Sequence, residues 1–131
     1  MAELPIRTGD DVVRVRQQVR TVAAAGGLSL VDQTKLVTAA SELARNALVH
    51  GGGGIAQVEV ITSANGRPGV RVTFADTGPG IADLEQALTD GWTTGGGLGL
   101  GLSGARRLVD EFELTSEPGA GTRVVVSKWR R

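Results

Sequence analysis

The chain has 131 residues, with 14 basic and 14 acidic side chains and no cysteine. This length suits a single domain, residues 1–131, that buries about two thirds of its unfolded surface. Equal numbers of charges give no global attraction to nucleic acid, and a chain without cysteine has neither disulfides nor thiolate metal sites. We find no signal peptide and no apolar run of membrane-spanning length, so we expect a cytoplasmic protein without membrane contact.

Glycine is unusually frequent and aromatic residues are rare. The chain contains 20 glycines, whereas aromatic residues make up 3% of it. The core must therefore be aliphatic, and several loops must bring the backbone close to another group.

The first quarter of the chain predicts a strand followed by a helix. Residues 4–7 form a short apolar strand, and Thr8 then begins a helix with an acidic first turn. Valines repeat at steps of three and four residues up to about Ala25, where Gly26 and Gly27 end the helix.

The stretch 34–54, TKLVTAASELARNALVHGGGG, predicts the central helix. Ser29 and Asp32 have capping-box spacing and open the helix, which has a broad apolar face and ends at four glycines. Glu42 and Asn46 lie one turn apart beside that face, where an acid and an amide could serve one ligand. Taken alone, this helix is better explained by two ordinary polar side chains at these positions.

Apolar residues then alternate with polar ones, which predicts strands. Strands at residues 55–60 and 70–74 form a hairpin around the turn at Asn65 and Gly66. A short helix ending at Gly91 and a helix over residues 102–109 follow, and strands at 112–115 and 122–129 complete the sheet. The order predicts an α+β fold: a two-layer sandwich whose mixed, mostly antiparallel sheet carries about three helices on one face.

The glycine run at residues 94–101 is the strongest chemical signal. Successive glycines let backbone amides converge on phosphate, and the helix that follows adds its dipole. Gly99, Gly101 and Gly104 satisfy G-x-G-x-x-G by chance, since no apolar strand precedes them, and the run lacks the lysine of a P-loop. Backbone amides and a metal ion remain to meet the phosphate charge, and Asn46 is a suitable oxygen ligand for Mg²⁺.

Asp76 closes an apolar strand, and glycines beside it let the chain turn sharply. A carboxylate at the floor of a pocket can accept a hydrogen bond from an exocyclic amine, so adenine is a natural ligand. A plain turn explains Asp-Thr-Gly-Pro-Gly equally well.

Together, the three clusters resemble the GHKL or Bergerat ATP-binding fold of gyrase, Hsp90, MutL and histidine kinases. The match covers most of the chain. Residues 41–47 resemble the N box and 76–80 the first glycine box, while 94–101 resemble the second glycine box with the lid. Residues 119–122 resemble the late Gly-x-Gly-Thr element.

The resemblance implies ATP and Mg²⁺ as cofactors and gives a role to each site residue. Glu42 would be the general base, Asn46 the Mg²⁺ ligand and Asp76 the reader of adenine. Thr122 would support the adenine side through its hydroxyl. The remaining nucleotide contacts would come from the two glycine boxes, through Gly78, Gly80, Thr94, Gly95, Gly96, Gly97, Leu98, Gly99, Leu100 and Gly101.

Short strings favour one branch of the family, the RsbT type of bacterial switch kinase over the anti-sigma-factor type. These strings are SELARN, GWTTGGGLGLGL, DEF and the late KW. The resemblance implies a kinase that phosphorylates a serine or threonine of a STAS-domain antagonist in a partner-switching module. It also implies that a PP2C-type phosphatase or a sigma factor is a possible partner.

Three other functions stay open at the sequence level. A histidine kinase core needs a separate phosphoacceptor helix, and the sole histidine is His50. A nucleotide-dependent binding module would sequester a sigma factor or phosphatase without phosphotransfer. An ATP hydrolase of the gyrase or MutL kind normally carries transducer domains. The arginines of the first helix, Arg14, Arg16 and Arg20, and the late pair Arg106 and Arg107 are candidate partner surfaces, although a solvated face explains both sets.

Overall fold

A computed structural model describes residues 1–80 and 101–131. In these residues three helices and five strands follow one another along the chain. They are β1 Ala2–Ile6, α1 Gly9–Ala25, α2 Leu30–Val49, β2 Gly54–Thr62, β3 Pro68–Asp76, α3 Gly101–Arg107, β4 Glu111–Glu117 and β5 Gly121–Trp129. The short helix predicted to end at Gly91 lies outside the described residues. None of the described helices has the length and apolarity needed to cross a membrane.

The five strands form one sheet in the order β1-β2-β3-β5-β4. Each described strand pair is antiparallel, so the mixed pairing that we allowed for is absent from this part of the chain. The prediction of an α+β fold is confirmed. The predicted last helix is two residues shorter at its end than the pattern suggested, because α3 stops at Arg107.

One hydrophobic core joins the helices to one face of the sheet. Valines in register across three strands, Val58, Val72 and Val126, form a row that is almost completely buried. Leu36 and Leu43 of α2 are buried against the same cluster. Because side chains of a strand alternate between faces, the opposite face of the sheet carries polar residues.

The start of α1 is fixed by a reciprocal capping box. The Thr8 Oγ1 accepts a hydrogen bond from the Asp11 backbone N–H at 3.3 Å, and Asp11 Oδ2 accepts one from the Thr8 N–H at 3.1 Å. Asp11 Oδ2 also accepts from the Arg7 N–H at 2.8 Å, and this bond is the largest cause that lowers the pKa of Asp11. The two side chains satisfy backbone donors that a helix start leaves without partners.

The start of α2 is held differently from the capping box that we predicted. Ser29 Oγ accepts from the Asp32 backbone N–H at 3.1 Å, as expected. The Asp32 carboxylate, however, contacts the Lys128 Nζ at 3.6 Å and the Arg131 Nε at 3.8 Å. Ion pairs with Lys128 and Arg131 therefore replace the hydrogen bond that a capping box would form between the Asp32 carboxylate and the Ser29 backbone N–H.

Lys128 is the centre of a buried ionic cluster. Its side chain is 4% exposed, and its Nζ lies 3.6 Å from both Asp32 Oδ1 and Asp110 Oδ1. Asp110 also pairs with Arg131 and accepts a hydrogen bond from the Trp129 backbone N–H at 2.8 Å. Asp110 and Lys128 begin the sequences DEF and KW, two of the short sequences that suggested the family branch, and the cluster brings them into contact.

Because of the surroundings of Asp110, the free energy of unfolding decreases when the pH becomes acidic. Burial raises the pKa of Asp110, but the Trp129 N–H, Lys128 and Arg131 together outweigh it and leave that pKa below its ordinary value. A carboxyl whose pKa is lower in the folded than in the unfolded state stabilises the fold above the unfolded pKa. That contribution is lost as the pH falls through the folded pKa.

We predict that Asp110→Asn lowers the free energy of unfolding at pH 7 and flattens its decline below about pH 4, the ordinary range of aspartate. Urea denaturation between pH 7 and pH 2.5 measures both effects. Glu113→Gln, at an exposed position of β4, the strand that begins just after Asp110, serves as the control. An Asp110→Asn protein whose acid profile matches that of the unaltered chain contradicts the prediction.

Candidate functional site

The predicted catalytic pair lies on the second half of α2. Glu42 and Asn46 are both half-buried, at the border between the packed face of the helix and solvent. Residues four apart on a helix have Cβ atoms about 5–6 Å apart, so both side chains can reach one ligand. The helix holds them firmly because Leu43 and Ala47, each next to one of the pair in sequence, are buried in the core.

The end of α2 leads directly to the third predicted site residue. The Asn46 carbonyl accepts hydrogen bonds from the backbone N–H groups of His50 at 2.9 Å and Gly51 at 3.3 Å. The chain then enters β2, where Gly54 pairs with Asp76 across the β2–β3 ladder. The helix carrying the acid–amide pair therefore ends beside the strand end that carries Asp76.

The Asp76 carboxylate is held by backbone groups from two segments. Its Oδ1 accepts hydrogen bonds from the Gly78 N–H at 2.9 Å and the Thr122 N–H at 3.3 Å. The first bond closes a tight turn, and the second crosses to β5, whose Thr122 is in register with Asp76. These bonds fix the orientation of the carboxylate before any ligand binds.

Thr122 contacts Asp76 through its backbone N–H, and its side chain contacts Ser116. Its hydroxyl lies 2.9 Å from the Ser116 Oγ, and Ser116 also donates to the Gly121 carbonyl at 3.0 Å. The family resemblance assigned Thr122 a role through its hydroxyl, whereas the observed contact with Asp76 comes from its N–H. Ser116 was not predicted, since a serine in an alternating strand carries no distinguishing signal.

The two predicted glycines of the first box are required by packing. A Cβ at Gly78 would lie 2.6 Å from the Gly51 Cα. Gly80 has φ of +78°, and a Cβ there would lie 2.2 Å from the Glu117 carbonyl oxygen. The Gly119 N–H donates to the Pro79 carbonyl at 2.7 Å, which ties this loop to the β4–β5 turn. Their contact with a nucleotide stays a prediction.

Three further glycines surround Asp76 and were not predicted as site residues. A Cβ at Gly51 would lie 2.4 Å from the Asp76 Cγ and 2.6 Å from its Oδ2. A Cβ at Gly54 would lie 3.2 Å from the Asp76 Cβ, and one at Gly121, whose φ is +90°, would lie 2.1 Å from the Asp76 carbonyl oxygen. The run Gly51 to Gly54 was the available signal, and it was interpreted only as a helix end.

The predicted phosphate cover lies almost entirely outside the described residues. Thr94, Gly95, Gly96, Gly97, Leu98, Gly99 and Leu100 belong to the segment 81–100 that is not described. Gly101 begins α3 with φ of +70°, a conformation that favours glycine. The role of this cover therefore remains a prediction.

Asn46 is the predicted metal ligand. Within residues 1–80 and 101–131, no three His, Cys, Asp or Glu side chains are grouped as a metal site. Mg²⁺ suits the site nevertheless, because it usually binds through one or two protein oxygens, substrate phosphates and water. The Asn46 amide oxygen, with Glu42 one turn away, fits that requirement.

Comparison with known proteins agrees with this geometry. The chain belongs to the family of histidine kinase-, DNA gyrase B- and HSP90-like ATPases, which matches residues 31–131. The predicted resemblance is thereby confirmed, and the matched span includes each predicted site residue.

Individual relatives narrow the comparison. The chain is 44% identical to the serine/threonine-protein kinase RsbT of Bacillus subtilis over 126 residues, covering 96% of this chain and 94% of that protein. It is 35% identical to an anti-sigma F factor of Halalkalibacterium halodurans over 74% of this chain and 69% of the relative. The first relative supports the prediction that the chain is a serine/threonine kinase.

Solved structures support the fold. The RsbU and RsbW domains of a Mycobacterium tuberculosis protein match with a TM-score of 0.65 and 24% identity, over 100% of this chain and 33% of that one. A histidine kinase domain from Erythrobacter litoralis matches with a TM-score of 0.53 and 22% identity, over 92% of this chain and 59% of that one. At these identities the likeness concerns the fold alone.

The Gly51 contact generates a test of how Asp76 is positioned. We predict that Gly51→Ala displaces the Asp76 carboxylate, because the added Cβ would lie 2.4 Å from Asp76 Cγ. The variant should bind ATP about tenfold to a hundredfold more weakly, the cost of one charged hydrogen bond. It should also lose its preference for ATP over ITP, whose base lacks the exocyclic amine; calorimetry measures both affinities.

Gly9→Ala is the matched control, since a Cβ at Gly9 meets nothing within 4 Å. Thermal unfolding of both variants separates a local displacement from loss of the fold. A folded Gly51→Ala protein with an unchanged ratio of ATP to ITP affinity would show that Gly51 does not position Asp76.

Proposed function

We propose that the protein is an ATP-dependent serine/threonine kinase that phosphorylates another protein. The observation that carries this proposal is the juxtaposition of a fixed carboxylate, Asp76, with the end of the helix that bears Glu42 and Asn46. In a family of ATPases this arrangement would provide Asp76 as the acceptor for adenine. On the helix, Asn46 would provide an amide oxygen for a metal ion, and Glu42 a carboxylate that accepts a proton. The kinase relative supports it over 96% of the chain.

The reaction follows from the roles of these residues. Asp76 would accept a hydrogen bond from the adenine amine, and Asn46 would hold Mg²⁺, whose charge offsets that developing on the phosphates. Glu42 would orient the serine or threonine hydroxyl and accept its proton. The hydroxyl oxygen forms a bond to the γ-phosphorus as the bond to the β,γ-bridging oxygen breaks, and ADP leaves. Positioning and electrostatics provide most of the acceleration.

The acceptor that we propose is a STAS-domain antagonist in a bacterial partner-switching module of stress response or sigma-factor control. The kinase relative and the anti-sigma F relatives support a place among such regulators. A PP2C-type phosphatase that the kinase binds and activates is a further proposed partner. We place the protein in the cytoplasm, where these partners and ATP occur.

A second function, nucleotide-dependent binding without essential phosphotransfer, is favoured by one observation. Relatives that are anti-sigma F factors match 74–84% of the chain at 29–35% identity. In such a protein, bound ATP would stabilise the conformation that binds and sequesters a sigma factor. Transfer of labelled γ-phosphate to a partner distinguishes the two functions.

We predict that Glu42→Gln binds ATP with unchanged affinity and transfers phosphate about 10² to 10⁴ times more slowly, because a positioned base contributes that factor. Rapid-quench measurement of γ-phosphate transfer to a purified STAS-domain protein gives the rate. The control is Glu59→Gln, on the opposite face of the sheet. Normal phosphorylation by Glu42→Gln would remove this residue as the base.

A second substitution tests the adenine contact. Asp76→Asn keeps an Oδ1 that can accept from the Gly78 and Thr122 N–H groups, so the loop should stay folded. The amide accepts the adenine hydrogen bond more weakly than the carboxylate, and we expect ATP affinity to fall about tenfold to a hundredfold. ITP affinity should change little. Calorimetry showing unchanged ATP affinity would reject Asp76 as the reader of adenine.

A further inference from the structure

The solvent side of α2 carries a continuous stripe centred on Glu42. Residues at successive steps of four, three, four, three and four lie on one side of a helix. In α2 these residues, here called the outer stripe, are Val31, Lys35, Thr38, Glu42, Arg45 and Val49. Val31 and Val49, at its ends, are 63% and 60% exposed, and Lys35 and Arg45 are exposed between them.

The position of Glu42 determines what must cover this stripe. A general base has to come within hydrogen-bond distance, about 2.6–3.2 Å, of the hydroxyl that it deprotonates. A protein that presents a serine or threonine to Glu42 therefore also covers the residues one turn before and after it. In the outer stripe those residues are Thr38 and Arg45.

The charges of the outer stripe indicate the chemistry of that protein. No hydrogen bond or ion pair formed within residues 1–80 and 101–131 involves Lys35 or Arg45. Some other cations of the described residues are engaged: Arg14 contacts Asp11, and Lys128 contacts two carboxylates. Lys35 lies about 10 Å before Glu42 along the helix and Arg45 about 4.5 Å after it, so Glu42 is flanked by two available cations.

Arg45 is not placed to contact the nucleotide itself. Successive residues of a helix are about 100° apart, so Arg45 is turned by that angle from Asn46, the predicted metal ligand. Arg45 is exposed, whereas Asn46 is half-buried. Its guanidinium is therefore available to a protein that approaches from solvent.

We propose that the outer stripe is the docking surface for the phosphoacceptor protein, and that this protein carries carboxylates beside its acceptor hydroxyl. Arg45 binds the nearest carboxylate and Lys35 a second one about 15 Å further along the helix. Val31 and Val49 pack against apolar side chains at the two ends. The inference rests on the proposed kinase function and assigns a substrate chemistry to it.

The groove on the opposite face of the sheet is a poorer docking site for the acceptor. It has a volume of about 510 Å³ and is lined by two arginines, Arg71 and Arg123, and two glutamates, Glu111 and Glu113. Its charges are balanced, and the sheet separates it from α2. A protein seated there cannot bring a hydroxyl to Glu42.

Charge reversal on the stripe tests the proposal. The variants are Arg45→Glu, Lys35→Glu and the double variant, and Arg123→Glu in the opposite groove is the control. The probes are the purified STAS-domain proteins encoded in the same genome, assayed with labelled ATP. For the acceptor that the unaltered protein phosphorylates, kcat and KM are measured at low and high salt, and ATP affinity is measured separately.

We expect Arg45→Glu to raise the KM for the acceptor about tenfold and the double variant about a hundredfold, since charges at the rim of an interface act mainly on association. The kcat at saturating acceptor, the ATP affinity and the melting temperature should stay unchanged. High salt should raise the KM of the unaltered protein more than that of the double variant. Replacement of the acceptor's nearest carboxylate by arginine should restore a low KM to Arg45→Glu.

Two results would overturn the docking surface while leaving the kinase intact. One is an unchanged KM for the double variant with an acceptor that is phosphorylated normally. The other is a KM that rises for Arg123→Glu and not for Arg45→Glu, which would place the acceptor in the opposite groove. If the unaltered protein binds ATP and transfers no phosphate to any STAS-domain protein, the proposed kinase function itself fails.

Discussion

The geometry of the site depends on one close contact, the backbone of Gly51 against the carboxylate of Asp76. This contact joins the end of α2 to the end of β3, and the Gly78 turn packs closely against the same glycine. It therefore determines how far Asp76 lies from Glu42 and Asn46. The Gly78 and Thr122 N–H groups then orient the carboxylate, so the two halves of the site are set by backbone atoms.

The features that follow from periodicity were predictable from the sequence. The valine rows of the strands and the leucines of α2 are spaced for burial on one face, and the structure buries them together. The acid–amide pair on α2 and the aspartate at a strand end are also local patterns. Glu42, Asn46 and Asp76 come together because the end of α2 leads into β2 beside the end of β3.

Contacts between distant segments were not predictable. Lys128 looks like an exposed residue near the end of a strand, yet two aspartates from other parts of the chain surround it and make its burial tolerable. In the sequence Gly51 marks a helix end and Gly121 belongs to the late Gly-x-Gly-Thr element, and their proximity to Asp76 follows only from the assembled sheet. Glycines in a sequence show where the backbone can approach another group closely, and only the fold determines which group that is.

The glycines around Asp76 also bear on inhibitor resistance. A compound that competes with ATP by hydrogen bonding to Asp76 would rest among backbone atoms at positions where a Cβ has no room. A substitution that adds a side chain there to exclude the compound would also displace Asp76, the adenine acceptor that we propose. Escape substitutions at Gly51, Gly54 or Gly121 would therefore also disturb the ATP binding that we propose.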